Sequence, residues 1–169
     1  MINYNLNANN YYSYMRQLAA SHTAIGNDNS VENRKHFFIG EMEDFYKGLR
    51  SVVEFPALVV EGFQLNLDEW QETLYRESAF TVVFDYNDHD NSAQQTDCFS
   101  QSEDIGREIL RRIAADGDES LCPIRINNIA GVQVLNETDR YAGIRFSFSI
   151  YSANVTDINE DAWNKTVSG

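Results

Sequence analysis

The segment Asp85-Tyr86-Asn87-Asp88-His89-Asp90 gathers three carboxylates and an imidazole. Hard cations such as calcium take oxygen-rich loops, in the best-known pattern with glycine at the sixth position and glutamate at the twelfth. Counted from Asp85 those positions hold Asp90 and Thr96; counted from Asp88 they hold Ala93 and Phe99. The pattern fails, so the segment reads as a solvated loop, with adventitious or interface cation binding as the alternative. His22, His36 and His89 share no metal-ligand spacing. Cys98 and His89 could form a thiol–imidazole pair, a nucleophile with its base, but nothing in the sequence brings them together. Asp68, Glu69, Glu72 and Glu77 surround Trp70, an arrangement open to acid–base chemistry and more simply explained as exposed charge at a strand or loop end. There is no nucleophile elbow, phosphate loop or His-Glu-x-x-His zinc motif. Arg107, Arg111 and Arg112 form one basic edge, which reads as an ion-pairing or subunit-contact stripe rather than a grip on DNA. No catalytic, cofactor-binding or metal-binding residue is expected, and no enzyme.

The elements that carry these residues follow from hydrophobic periodicity. Near the start of the chain, Tyr11, Met15, Leu18, His22 and Ile25 recur at helical spacing. Residues 8–25 therefore predict an amphipathic helix, with His22 as a hydrogen-bonded core histidine and Gly26 as C-cap. A second helix is expected over Val31–Val53, on the stripe Phe38, Met42, Phe45, Leu49 and Val52, widened by Ile39, Tyr46 and Val53. Gly40 and Gly48 weaken it by about 1 kcal/mol each. Strands are predicted at Ala57–Val60, Phe63–Leu67 and Ala79–Tyr86, then a surface loop over Asn87–Thr96. A helix over Asp97–Asp116 carries Ile105, Ile109 and Ile113, capped by Asp97 or Ser100. A strand pair at Ile124–Asn127 and Gly131–Leu135 precedes the turn Asn136–Arg140. In the last strand, Tyr141–Ser152, Ile144, Phe146, Phe148 and Ile150 alternate with Arg145, Ser147 and Ser149.

This order predicts an α+β fold: a mostly antiparallel sheet of about five strands, helices packed on one face, and an N-terminal helical arm. Residues 1–30 are the expected arm, 31–152 the domain and 153–169 a polar tail. At 169 residues a single core suffices without disulfide or metal. Cys98 and Cys122 read as free thiols of a reducing compartment, with a disulfide between them as the alternative. The net charge of −13 opposes tight binding of nucleic acid or anionic lipid. No apolar run is long enough for a membrane span, and the first residues lack a secretion signal. The sequons at Asn136, Asn154 and Asn164 are read as chance.

A helix running into Leu49-Arg50-Ser51-Val52-Val53-Glu54-Phe55-Pro56-Ala57-Leu58-Val59-Val60-Glu61 opens the domain. The strand Phe80–Tyr86, the helix segment Asp104-Ile105-Gly106-Arg107-Glu108-Ile109-Leu110 and the closing strand Ile144–Ile150 complete it. Over about residues 31–152 this order resembles the tail terminator, or tail-completion, proteins of long-tailed bacteriophages and related prophages; the N-terminal helix is an addition to that plan. The resemblance implies a small structural protein that forms a homo-oligomeric ring, usually hexameric, stops growth of the tail tube and joins tail to head. Its implied partners are further copies of itself, the tail tube protein and a head-completion protein. DNA would pass an acidic lumen as a non-specific neighbour, and the protein would reside in the virion or the host cytoplasm. Arg107, Arg111 and Arg112 would serve subunit contact. The loop with Asp85, Asp88, His89 and Asp90, and the tail after Ser152, would be lumen or interface segments. The charge fits equally a small acidic binding module, an immunity-type or nucleic-acid-mimicking inhibitor of a basic protein.

Overall fold

The computed structural model describes residues 8–26, 36–41, 53–68, 73–87, 92–118 and 125–153. Their elements are α1 (Ala8–Ser21), β1 (Phe37–Ile39), β2 (Ala57–Val60), β3 (Gln64–Asp68), β4 (Thr73–Asp85), α2 (Ser92–Asp118), β5 (Arg125–Asn136) and β6 (Tyr141–Ala153). The strands form one six-stranded sheet in the order β1-β2-β4-β6-β5, with β3 paired to the first half of β4. All pairings are antiparallel except β1 with β2. The fold is thus α+β, with a mixed, mostly antiparallel sheet and α1 packed against it.

The centre is the β4–β6 ladder, in register from Thr73 opposite Ala153 to Asp85 opposite Tyr141. Strict alternation sends Phe80, Val82, Ile144, Phe146, Phe148 and Ile150 to one face. There they meet Tyr11, Met15, Leu18 and Ala19 of α1, and Ile105, Ile109, Leu110 and Ile113 of α2. Each fully buried aliphatic side chain in such a cluster contributes about 1.5–3 kcal/mol. The opposite face holds a smaller cluster of Phe38, Ala57, Val59, Val83 and Tyr141, flanked by Val53, Phe55 and Val134. Two glycines set the spacing. A Cβ on Gly106 would overlap the Phe146 ring, and one on Gly143 would overlap the Val82 carbonyl oxygen. Gly106 lets α2 rest directly on β6, and Gly143 lets β6 close on β4.

Three expectations are corrected. Within the span Val31–Val53, where a helix is expected, Phe37–Ile39 form the strand β1 instead. Bonds from Leu58 N–H to the His36 carbonyl, and from Gly40 N–H to the Val60 carbonyl, hold that strand beside β2. Phe37 enters the core under the helices, and Phe38 enters the cluster on the other face. That is strand alternation, available to an aromatic-rich triplet beside an apolar strand; residues 31–35 and 42–52 lie outside the described residues. The loop expected over Asn87–Thr96 is shortened, because α2 begins at Ser92 rather than at Asp97. Ser92, Ala93, Thr96 and Asp97 are exposed there, and solvated helical turns are polar without being loops. The expected pair of short strands at 124–127 and 131–135 is one strand, β5, broken in register between Asn127 and Ala130. Asn128 takes the left-handed conformation at this bulge, φ 54°, a conformation asparagine tolerates better than most residues. With β1 added, the sheet has six strands instead of about five. The tail expected after Ser152 falls, beyond Ala153, outside the described residues.

Candidate functional site

Three regions of the surface concentrate chemistry or exposed apolar area. The first is a groove of about 550 Å³ between α1 and α2, lined by Tyr14, Leu18, His22, Glu108, Arg112 and Asp116 among others. The amphipathic stripe of α1 turns Tyr14 inward, and its hydroxyl donates to Asp116 Oδ2 at 2.8 Å. Arg112 holds the other oxygen of the same carboxylate at 2.8 Å. Burial first, then the bond to Asp116, holds the Tyr14 hydroxyl well above the ordinary tyrosine range. Such a phenol keeps its proton and is no base. His22 Nδ1 accepts the Ala24 N–H at 3.3 Å, and Nε2 donates to Glu108 Oε2 at 2.9 Å. The helix expected over 8–25 ends at Ser21, so His22 follows α1 instead of lying within it; its hydrogen bonds, as expected, tie the end of α1 to α2 at the rim of the core.

The second region is a polar cleft of about 360 Å³ on the opposite sheet face, lined by Glu61, Glu77, Asn128, Arg145, Ser147 and Ser149 among others. Arg145 donates two bonds, both 2.6 Å, to the nearly buried Glu61 carboxylate. That fork raises the Arg145 guanidinium above its usual value and leaves the ion pair fully engaged. The bulge aims Asn128 Nδ2 at Ser149 Oγ (3.2 Å) and Tyr151 Oη (3.4 Å). Tyr151 stacks on Tyr75 across the ladder.

The sequence-derived candidates are scattered over this framework. Asp85 ends β4 and is exposed, while Asp88, His89 and Asp90 lie outside the described residues. Cys98 is a free, buried thiol directed at the Asp85 carbonyl, 3.7 Å away, and Cys122 lies outside the described residues. Burial, with Asp85 and Asp97 nearby, pushes the Cys98 thiol up, which disfavours the nucleophilic thiolate. Arg107, Arg111 and Arg112 are all exposed on α2, but they are not one free stripe. Arg107 contacts Glu103 one turn back, and Arg112 is committed to Asp116 at the groove. Glu77 lies on β4 in the polar cleft; the positions of Glu69, Trp70 and Glu72 fall outside the described residues. Among the described residues, no three His, Cys, Asp or Glu side chains could share a metal ion. No helix among them is long and apolar enough to cross a membrane.

The third region is the outer edge of β5. Among the described residues this strand pairs only with β6, and most of it is exposed, including Ile129, Val132 and Leu135. Periodicity in the sequence marks part of this segment as strand. Its position at the sheet edge depends on which neighbour takes the other side of β6, and no local signal carries that. No protein-family model matches the chain, and a search of curated proteins gives no match at significance.

Proposed function

We propose that this protein is a structural subunit of a bacteriophage or prophage tail end, assembling into a ring that caps the tail tube and joins it to the head. The observation that carries the reading is the β5 edge: twelve residues with an unpaired outer side among the described residues and three exposed aliphatic side chains. A long, apolar strand edge is an association surface, and soluble monomers normally blunt or cover one. The two clefts offer engaged ion pairs rather than a poised reaction centre. Tyr14, Arg112 and Asp116 satisfy one another, as do Glu61 and Arg145. The α+β fold agrees with the small domain that the resemblance implies, and a charge of −13 suits a lumen through which DNA slides without adhering.

The test combines absolute mass by light scattering with tube growth followed by electron microscopy. Purified cognate tail tube protein is polymerised with and without the chain. A hexamer-sized species and tubes that stop at ring-capped ends are expected. A monomer that leaves tube length unchanged, and binds a basic protein with affinity falling steeply as salt rises, would replace this reading with the acidic binding module.

A further inference from the structure

All five large aliphatic side chains left exposed among the described residues lie on strands that bound the sheet. Ile129, Val132 and Leu135 are on β5; Ile39 is on β1 and Leu65 on β3, each between 43% and 59% exposed. The interior strands β2, β4 and β6 leave none among the described residues. β1 and β3 line the side of β4 that faces away from β6, so the two apolar edges are opposite ends of one sheet. Apart from its bulge at Asn127–Ala130, β5 lacks the usual protections against edge-to-edge pairing, proline and repeated charge. Its sequence Arg-Ile-Asn-Asn-Ile-Ala-Gly-Val-Gln-Val-Leu-Asn has no proline and a single charge, Arg125. In a chain this acidic, an edge so poor in charge is an exception that needs a partner.

We propose that the β5 edge of one subunit docks on the β1 and β3 edge of the next copy of the same chain, head to tail. The inference rests on the ring reading and names the contact that would close it. Two observations select a second copy over a foreign partner. The apolar edges are two and unlike each other, as a heterologous contact requires, whereas a partner covering β5 alone leaves Ile39 and Leu65 in water. Charge matches as well: Arg125, exposed and with no ion-pair partner among the described residues, opens β5, and Glu41, exposed, follows shortly after β1.

The experiment is directed cross-linking of the full-length chain. Cys122 is replaced by serine, the buried Cys98 is retained, and Leu135→Cys, Ile39→Cys and Leu65→Cys are made singly. Leu135 pairs with Ala142 on the helix side of the sheet, the side that Ile39 and Leu65 also face, so under mild oxidation disulfide-linked dimers are expected when Leu135→Cys is mixed with Ile39→Cys or Leu65→Cys, and not from any variant alone. A companion variant, Val132→Lys with Leu135→Lys, is expected to lower the assembled mass to that of a monomer while keeping the wild-type melting temperature. Dimers from Leu135→Cys alone would mean an isologous edge and would overturn the proposal. So would an assembly that forms without cross-links in any mixture, or a wild-type chain that stays monomeric at every concentration. The tube assay separates the two readings. Cross-linked edges with uncapped tubes remove the tail function and keep the contact; capped tubes without cross-links do the reverse.

Discussion

Single side chains in this protein are constrained by close approach and by buried polar groups. Gly106→Ala places a methyl group inside the Phe146 ring envelope, so a loss of about 1–3 kcal/mol is expected in urea denaturation. Gly131→Ala is the control: its nearest neighbour, Ile144 Cγ2, is at 3.4 Å, and a change within about 0.5 kcal/mol is expected. Thr81 is completely buried, and its hydroxyl has no hydrogen-bond partner among the described residues. Thr81→Val keeps the shape and removes the unsatisfied group, so a gain of about 1 kcal/mol is expected by the same measurement. Tyr11 and Tyr14 define the alkaline limit. Burial raises both hydroxyls, and Asp116 raises Tyr14 further, so the folded values exceed the unfolded value near 10. Above that pH the unfolded chain has lost protons that the folded chain still holds. Stability is therefore complete below about pH 10 and falls as pH rises, by about 1.4 kcal/mol per unit for each group. Denaturation midpoints from pH 8 to 11 should show this fall, and Tyr14→Phe should remove about half of the slope.

Among the elements, α1 is held by the same core as the sheet. Met15 is fully buried within the cluster that contains Phe80 and Phe146, Tyr11 Oη meets Ser78 Oγ at 2.6 Å, and His22 reaches Glu108 on α2. Met15→Ala should cost about 2–5 kcal/mol in a single cooperative transition. Early loss of helical signal before the sheet unfolds would show instead that α1 is an independent attachment. Much of this level is legible from periodicity. The strand Ala57–Val60, the turn after Asn136 and the last strand have the bounds expected of them, or nearly so. Pattern and structure part where one local pattern serves two structures. The Phe37-Phe38-Ile39 triplet suits a helical stripe as well as a strand, and only hydrogen bonds beside β2 decide it. The polar turns at Ser92–Thr96 resemble a loop because the buried face of α2 begins at Cys98. Asn127-Asn128 resembles a break between strands, yet the β6 ladder continues past it through a bulge.

For the whole molecule, charge sets the sign of the salt response. With −13 any two copies of the chain repel one another, and added salt screens that repulsion from a Debye length of about 10 Å at 0.1 M to about 3 Å at 1 M. If apolar strand edges drive assembly, the assembled fraction measured by light scattering should rise from low to high sodium chloride. An acidic inhibitor bound to a basic protein should dissociate over the same range, so the two readings predict opposite slopes. Residue order alone was enough for the α+β class, most strand and helix positions, the net acidity and the lack of a recognised catalytic motif. These depend on composition and on periods of two and 3.6 residues, which are local. Contacts between distant segments were needed to establish that β1 joins the sheet in parallel, that Asp116 accepts the Tyr14 hydroxyl, and that β5 is an edge. Each of these depends on what lies beside a residue after the chain has closed on itself. An apolar residue in a strand has the same local pattern whether its neighbour is another strand, another subunit or water.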